Sequence, residues 1–321
     1  MNEFEVISRI FAPLAGEGAF ALKDDAAVIA PRPGFDLVVT TDAIAEGTDF
    51  FAFDPAGSVA QKALRVNLSD LAAKGAVPCC YLLSIALPPS ITTEWLTSFA
   101  AGLAADQAAF GISLLGGDTA RSEGPVSISI TAFGFVPQGR MIRRAGARAG
   151  DDIFVTGHVG DSGGGLAIFK REMHALDEVQ RDLLTARYRV PQPPVRFGGD
   201  RMGAFASAAI DVSDGLVADL GHLARASGVR LCLDADSLPR SGALRAFWGE
   251  GDGAIIRAAT AGDDYQIAFT AASSEREKVL QAANDCSIAV TRIGKVTVGE
   301  GVELVREGRI LAVPSPGYRH F

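Results

Sequence analysis

The stretch FDLVVTTDAIAEGTD at 35 to 49 constrains the fold more than any other part of the chain. Phe35, Leu37, Val38 and Val39 have the aromatic and β-branched character that suits a buried strand. The expected strand ends at Thr40, Thr41 and Asp42, where two hydroxyls and a carboxylate meet solvent on a rigid support. Four other stretches also present Asp beside small residues: KDDAA at 23 to 27, NLSD at 67 to 70, GGDT at 116 to 119 and DVSDG at 211 to 215. Turns formed independently would not need this recurrence. Carboxylate, hydroxyl and carbonyl oxygens suit hard cations such as Mg²⁺.

A chain of 321 residues calls for two domains at about 100 to 200 residues each. The first combines helices over 4 to 14, 54 to 75 and 92 to 110 with strands at 81 to 87, 112 to 115 and 126 to 136, an α+β arrangement. Asp54 and Pro55 form a helix start, with Asp54 as N-cap. Along that helix Asn67, Asp70 and Lys74 share one face while Leu64, Leu68 and Leu71 line another. The Gly- and Arg-rich segment at 137 to 152 marks the boundary, giving domains 1–137 and 138–321. The second opens with strand, glycine cluster and helix, and closes with a hairpin that turns at Glu307-Gly308.

Composition excludes several function classes. The formal net charge is -8 and no basic run exceeds Arg143-Arg144, so nucleic acid lacks its electrostatic footprint. No apolar run approaches the roughly 18 residues needed to span a bilayer, and the N-terminal segment carries Glu3 and Glu5 instead of a basic leader. A cytoplasmic protein without a membrane partner is expected. Four cysteines, with Cys79 and Cys80 adjacent, supply neither a disulfide framework nor a zinc spacing and read as reduced, buried thiols. His158, His174, His222 and His320 show no ligand spacing either, and none is assigned a role.

Each acidic motif also has a plain structural reading. Asp24-Asp25 alone is a solvated turn, Asp118 alone a turn bonding its own backbone, and Ser213 or Asp214 an N-cap of the following helix. A cap does not account for Asp211. The glycine cluster at 157 to 165 matches neither GxGxxG nor a P-loop, and serves equally for an anion at free N–H groups or for close helix packing. LDADS at 233 to 237 only faintly resembles an aspartate-nucleophile phosphatase and reads as a strand end.

KDDAAV, TTDAIAEGTDF, KALRVNLSDLAAKGA, LLGGDT, GFVPQGRMIRRAGARAGD, DVSDGLVADL, AGDDY and GYRHF occur in an order and spacing that resembles the thiamine-monophosphate kinase family over nearly the whole chain. Aminoimidazole-ribonucleotide synthetase and selenophosphate synthetase share the two-domain architecture but not the NLSDLAA and SDGL set. The resemblance implies the aminoimidazole-ribonucleotide synthetase-like α+β fold, with a mixed or antiparallel sheet flanked by helices in each domain. It implies ATP-dependent phosphorylation of thiamine monophosphate with several Mg²⁺ ions, and a homodimer formed through the N-terminal domains. Carried over, Asp25, Thr40, Thr41, Asp42, Asp70, Asp118, Asp211 and Asp214 would hold metal. Gly117, Asp118, Arg144 and Ser213 would contact ATP, and Asp49, Asp263 and Ser315 would face the substrate.

The sequence departs from the family at four places, three of them on the substrate side. Lys23 stands for the usual Gly, Asp49 for a His, Asp263 for a Glu and Ser315 for a Trp. Asp for Glu keeps the charge at shorter reach, and Ser for Trp removes a stacking surface. No nucleophilic Ser, Cys or His and no phosphoenzyme are expected. The alternatives are an ATP-dependent enzyme with another phosphorylated or carboxylated acceptor, and a non-catalytic nucleotide or thiamine diphosphate binding protein.

Overall fold

A computed structural model describes residues 3–172 and 176–318 of the chain. His174, His320 and the end of the GYRHF motif lie outside the described residues. The chain divides into two compact units, residues 1–71 with 76–140, and residues 72–75 with 141–321.

The first unit starts with α1 (Glu3–Val6), then a π-helical turn at Ile7–Phe11 and a 3₁₀ turn at Ala12–Leu14. One amphipathic helix is expected here; the chain instead widens into the π turn and tightens only at the 3₁₀ turn, where Pro13 has no N–H to continue the ladder. Next come β1 (Phe35–Ala45), α2 (Ala56–Ala73), β2 (Val77–Leu87), α3 (Thr93–Phe110), β3 (Ser113–Arg121) and β4 (Ser127–Pro137). The sheet has the order β1-β4-β2-β3, with β2 and β3 parallel and the other pairs antiparallel. Leu64, Leu68 and Leu71 of α2 are fully buried, as their spacing predicts. Gly111 ends α3 in the left-handed conformation, and Thr92 caps its start by accepting the Trp95 N–H. At α2 the first carbonyl to accept is that of Pro55, while the Asp54 carboxylate accepts the Phe51 N–H one turn back.

Two strand expectations need correction. β1 does not end at Asp42 but runs on to Ala45, because Ala43, Ile44 and Ala45 pair with Ser129, Ile128 and Ser127 of β4. Nor is it buried on both faces: Val38 is inside, whereas Phe35, Leu37 and Val39 are 42%, 45% and 59% exposed. Likewise β3 continues through GGDT, so Asp118 is a strand residue opposite Ser84. Pairing, not local turn chemistry, decides both.

The second unit contains β5 (Asp152–Thr156), α4 (Asp161–Phe169), α5 (Glu178–Arg189), α6 (Val195–Arg201), β6 (Ala206–Val212), α7 (Leu216–Ser227) and β7 (Arg230–Asp234). It continues with α8 (Gly242–Trp248), α9 (Asp252–Thr260), β8 (Gln266–Ala271), α10 (Arg276–Asp285), β9 (Val290–Thr297), β10 (Gly301–Arg306) and β11 (Arg309–Ile310). Its sheet, in the order β11-β10-β7-β9-β5-β8-β6, is antiparallel except at β10 and β7. Both sheets are flanked by helices, so the two-domain α+β class holds. The glycine cluster serves helix packing: a Cβ on Gly165 would sit 2.2 Å from the Leu184 carbonyl oxygen of α5, and one on Gly164 2.8 Å from Leu244. All four cysteines are free; Cys80 is buried and the other three are half-buried rather than buried.

Candidate functional site

In the first unit Asp42, Asp70 and Asp118 stand on regular structure, whereas Asp25 and Asp49 lie in turns. Thr40 and Asp42 are two apart on β1 and share the face that α2 covers. The Thr40 hydroxyl donates to Asp70 Oδ2 of α2, and the Asp42 N–H donates to Asn67 Oδ1 at 3.0 Å. Asn67 is completely buried and its Nδ2 donates to the Ala63 carbonyl, so its orientation is fixed. Thr41 points to the opposite face, where its hydroxyl donates to the Ile130 carbonyl at 3.1 Å and accepts from Thr131. The predicted hydroxyl pair is thus split across the sheet. One turn beyond β1, Asp49 Oδ2 accepts the Ala45 N–H, and its carbonyl accepts the buried Lys62 Nζ at 2.7 Å.

Strand register separates this group from Asp118. Asp42 pairs with Ile130, Ile130 with Leu83 and Leu83 with Gly117, so Asp42 and Gly117 occupy one row at the two edges of the sheet. Three strand spacings set them roughly 14 Å apart. Asp118, one residue on, lies on the Thr41 face. Asp25, Gly117 and Asp118 line one cavity of about 530 Å³, whose other walls include Ile7, Phe11, Leu22, Leu82 and Phe133. Gly117 is obligatory there: its φ is +154° and a Cβ would lie 1.7 Å from the Leu83 carbonyl oxygen. The exposed Asp24 accepts the Asp25 N–H, the turn that the pair alone predicts.

The second unit gathers its predicted residues around one loop, Ser213–Gly215, between β6 and α7. Asp211 is the penultimate residue of β6, opposite Ile267, and is 6% exposed. Neither Ser213 nor Asp214 caps α7; Gly215 occupies that position. Asp219, in the first turn of α7, turns back so that its Oδ2 accepts the N–H groups of Ser213, Asp214 and Gly215 at 3.0, 3.0 and 3.2 Å. Burial pushes its carboxyl up to about 7, with the Asp214 carboxylate adding to the rise against the pull of the three N–H donors. The loop carbonyls are also engaged, Ser213 by the Asp263 N–H and Asp214 by the Tyr318 N–H, at 2.8 and 2.9 Å. Ser315 follows closely, its hydroxyl donating to the Gly317 carbonyl. Asp263 and Tyr265 both have positive φ, 69° and 50°, and the Tyr265 hydroxyl donates to Asp263 Oδ1. Strain of this kind on non-glycine residues gathers at sites where geometry matters. Arg144 is exposed, and its carbonyl accepts the Ser227 hydroxyl, which in turn accepts the Gly146 and Ala147 N–H groups.

Two other carboxylates in this unit close structure instead of facing outward. Asp264 accepts the Gly160 and Ser162 N–H groups at 2.6 and 3.2 Å, filling the α4 N-terminus that an anion could have used. Burial holds its carboxyl well above the usual range, helped by the neighbouring Asp161 and Asp263 charges. Asp152 shows the reverse. Burial alone would raise it, but the Arg276 and Arg292 guanidinium groups outweigh burial and hold it at about 2. Asp234 accepts the Asp236 N–H and the Ser237 hydroxyl, as a strand-end turn does.

Asn67, Asp219, Ser227 and Lys62 were not assigned roles from sequence. Only Asp219 left a local signal, an acid in the first turn of a helix after Gly. Among the described residues no three His, Cys, Asp or Glu side chains stand close enough together to hold a metal. The predicted donors are nonetheless all oxygens, and Mg²⁺ keeps several waters and takes only one or two carboxylates beside substrate phosphates. This donor set fits Mg²⁺ arriving with a nucleotide and does not fit a zinc-type cage.

Comparison with known proteins defines the class first. Residues 23–136 match the AIR synthase related protein N-terminal domain, and residues 148–307 the corresponding C-terminal domain. The chain is 41% identical to the thiamine-monophosphate kinase of Caulobacter vibrioides, covering 99% of this chain and 91% of that one. The crystal structure of the thiamine-monophosphate kinase from Stenotrophomonas maltophilia K279a matches with a TM-score of 0.83 and 41% identity, covering 90% and 91% of the two chains. AaThiL complexed with AMPPCP and TMP matches with a TM-score of 0.79 and 30% identity, covering 99% of this chain and 94% of that one. The chain belongs to the thiamine-monophosphate kinase family.

Proposed function

We propose that the protein transfers the γ-phosphoryl group of ATP to the phosphate of thiamine monophosphate, giving thiamine diphosphate and ADP. The observation that carries this reading is the match over 99% of the chain to a protein complexed with AMPPCP and TMP, together with acidic sets in both units. A phosphate oxygen of the acceptor bonds to the γ-phosphorus as the bond to the β,γ-bridging oxygen breaks, and ADP leaves. The acceptor phosphate has a second pKa near 6, so it is largely ionised at neutral pH and no side chain need remove a proton. Positioning and charge neutralisation supply the catalysis.

The residues divide that work. Asp25, Thr40, Thr41, Asp42, Asp70 and Asp118 in the first unit, with Asp211 and Asp214 in the second, would hold Mg²⁺, Thr41 from the sheet face it shares with Asp118. Mg²⁺ when bound neutralises charge on the phosphates. Gly117 lets the backbone approach the nucleotide closely, while Arg144 and Ser213 bind its phosphates. Asp49, Asp263 and Ser315 face the thiamine side.

The same reading takes a homodimer as the working form. β1 is an unpaired sheet edge, and the exposed row Phe35, Leu37 and Val39 is an apolar face of the kind a second copy covers. Leu37→Glu should then give a monomer by light scattering. Among the described residues no helix is long and apolar enough to cross a membrane, and we assign the enzyme to the cytoplasm. The test of function is formation of thiamine diphosphate from thiamine monophosphate, ATP and Mg²⁺ by purified protein, beside free thiamine and no-ATP controls. Product from the monophosphate alone is expected; none from well-folded protein would leave a different acceptor or a binding role.

A further inference from the structure

The Ser213–Gly215 loop has the form of an anion nest, three successive N–H groups converging at the start of a helix, yet the nest is already filled. Asp219 Oδ2 takes all three N–H groups, and Asp219 itself is only 4% exposed. The three carbonyls of the loop are taken as well, Ser213 by the Asp263 N–H, Asp214 by the Tyr318 N–H and Gly215 by the Asp219 N–H. What the loop offers outward is therefore the Ser213 hydroxyl and the Asp214 carboxylate. A helix start in this state presents acceptors to its ligand where an open nest would present donors. The backbone is also crowded from behind: a Cβ on Gly262 would lie 2.6 Å from the Ser213 carbonyl oxygen, and one on Gly317 2.4 Å from that of Asp214.

We infer that Asp219 is a positioning residue that converts this loop from a phosphate-binding nest into a cation-facing platform, by occupying its N–H groups and fixing where Asp214 and Ser213 point. Asp219 touches neither substrate nor metal; it acts through the loop. This rests on the reading that Asp214 meets Mg²⁺ and Ser213 meets ATP. Asn at 219 keeps one oxygen for the N–H groups, Ala empties the nest, and Glu moves the acceptor.

The experiment is Mg²⁺ titration of thiamine diphosphate formation by the full chain with Asp219→Asn, Asp219→Ala and Asp219→Glu. In Ala and Glu the Mg²⁺ concentration for half-maximal rate should rise about 10-fold or more, the scale seen when groups orienting metal ligands are removed. Asn should restore most of it. A purely structural role would lower the melting temperature and leave the Mg²⁺ requirement of the folded protein unchanged, and that result overturns the inference. Should Ala fail to fold, Glu and Asn decide by the same reading. If wild-type protein forms no product, the proposed function falls, and amide exchange at 213–215 then tests the positioning claim: exchange as slow in Asp219→Glu as in wild type would sink it.

Discussion

In the first unit Asp42 and Asp118 stand on strands and Asp70 on a helix whose backbone bonds are complete without them. In the second, Asp211 precedes and Asp214 belongs to a loop whose shape depends on groups outside it: the Asp219 side chain from inside, with the main-chain N–H groups of Asp263 and Tyr318 tying down its carbonyls. The difference teaches that an acid on regular structure can be changed with little effect on the fold, whereas the loop acids rest on one buried carboxylate, Asp219, that holds the loop's N–H groups. Function and stability should separate in the first unit and be entangled in the second.

The largest expected effect tests that separation. Asp70→Asn should lower turnover at least about 100-fold, since metal-borne charge neutralisation is worth several kcal/mol, while thermal melting stays near wild type. A lost fold with retained specific activity would erase the contrast. Next, Asp264→Ala leaves the Gly160 and Ser162 N–H groups buried without their acceptor and should cost about 2 to 3 kcal/mol in denaturant unfolding. If it cost nothing, Asp264 would not be a structural carboxylate.

A pH experiment sharpens the same point. The carboxyl of Asp152 is depressed to about 2 from the ordinary 3.8, so its stabilisation is fully present above about pH 4 and is lost as pH falls towards 2. Asp152→Asn should remove about 2 kcal/mol of stability at neutral pH and flatten the acid limb of the stability profile; a parallel profile would count against the ion pairs. The smallest effect is expected from Ser227→Ala, which frees the Arg144 segment: about 1 kcal/mol of stability, and a few-fold rise in KM for ATP with little change for the acceptor. Equal changes in both KM values would remove Arg144 from the nucleotide.

The contrast also explains what could be read before the structure. The helix end after residue 110, the leucine face of α2, the two-domain α+β class and the acidic motifs follow from spacing and local chemistry. The lengths of β1 and β3 do not, because strand ends are set by partners far away in sequence: Ser127–Ser129 carry β1 past Asp42, and Ser84–Leu87 carry β3 past Asp118. The split of Thr40 from Thr41 follows from the same extension, since adjacent residues within a strand face opposite ways. Asp219 carries a local signal, an acid in the first turn of a helix, but the main-chain groups it accepts are chosen by the loop's fold and leave no letter in a sequence.

The row Phe35, Leu37 and Val39 has a consequence for synthesis. The unit that bears it emerges from the ribosome first, with its sheet edge open and three large apolar side chains in water, while the other unit is still being made. Until that edge is covered, the nascent chain is exposed to wrong pairing with its neighbours. Yield of active protein should therefore depend on translation rate and chaperone supply more steeply than its equilibrium stability would suggest.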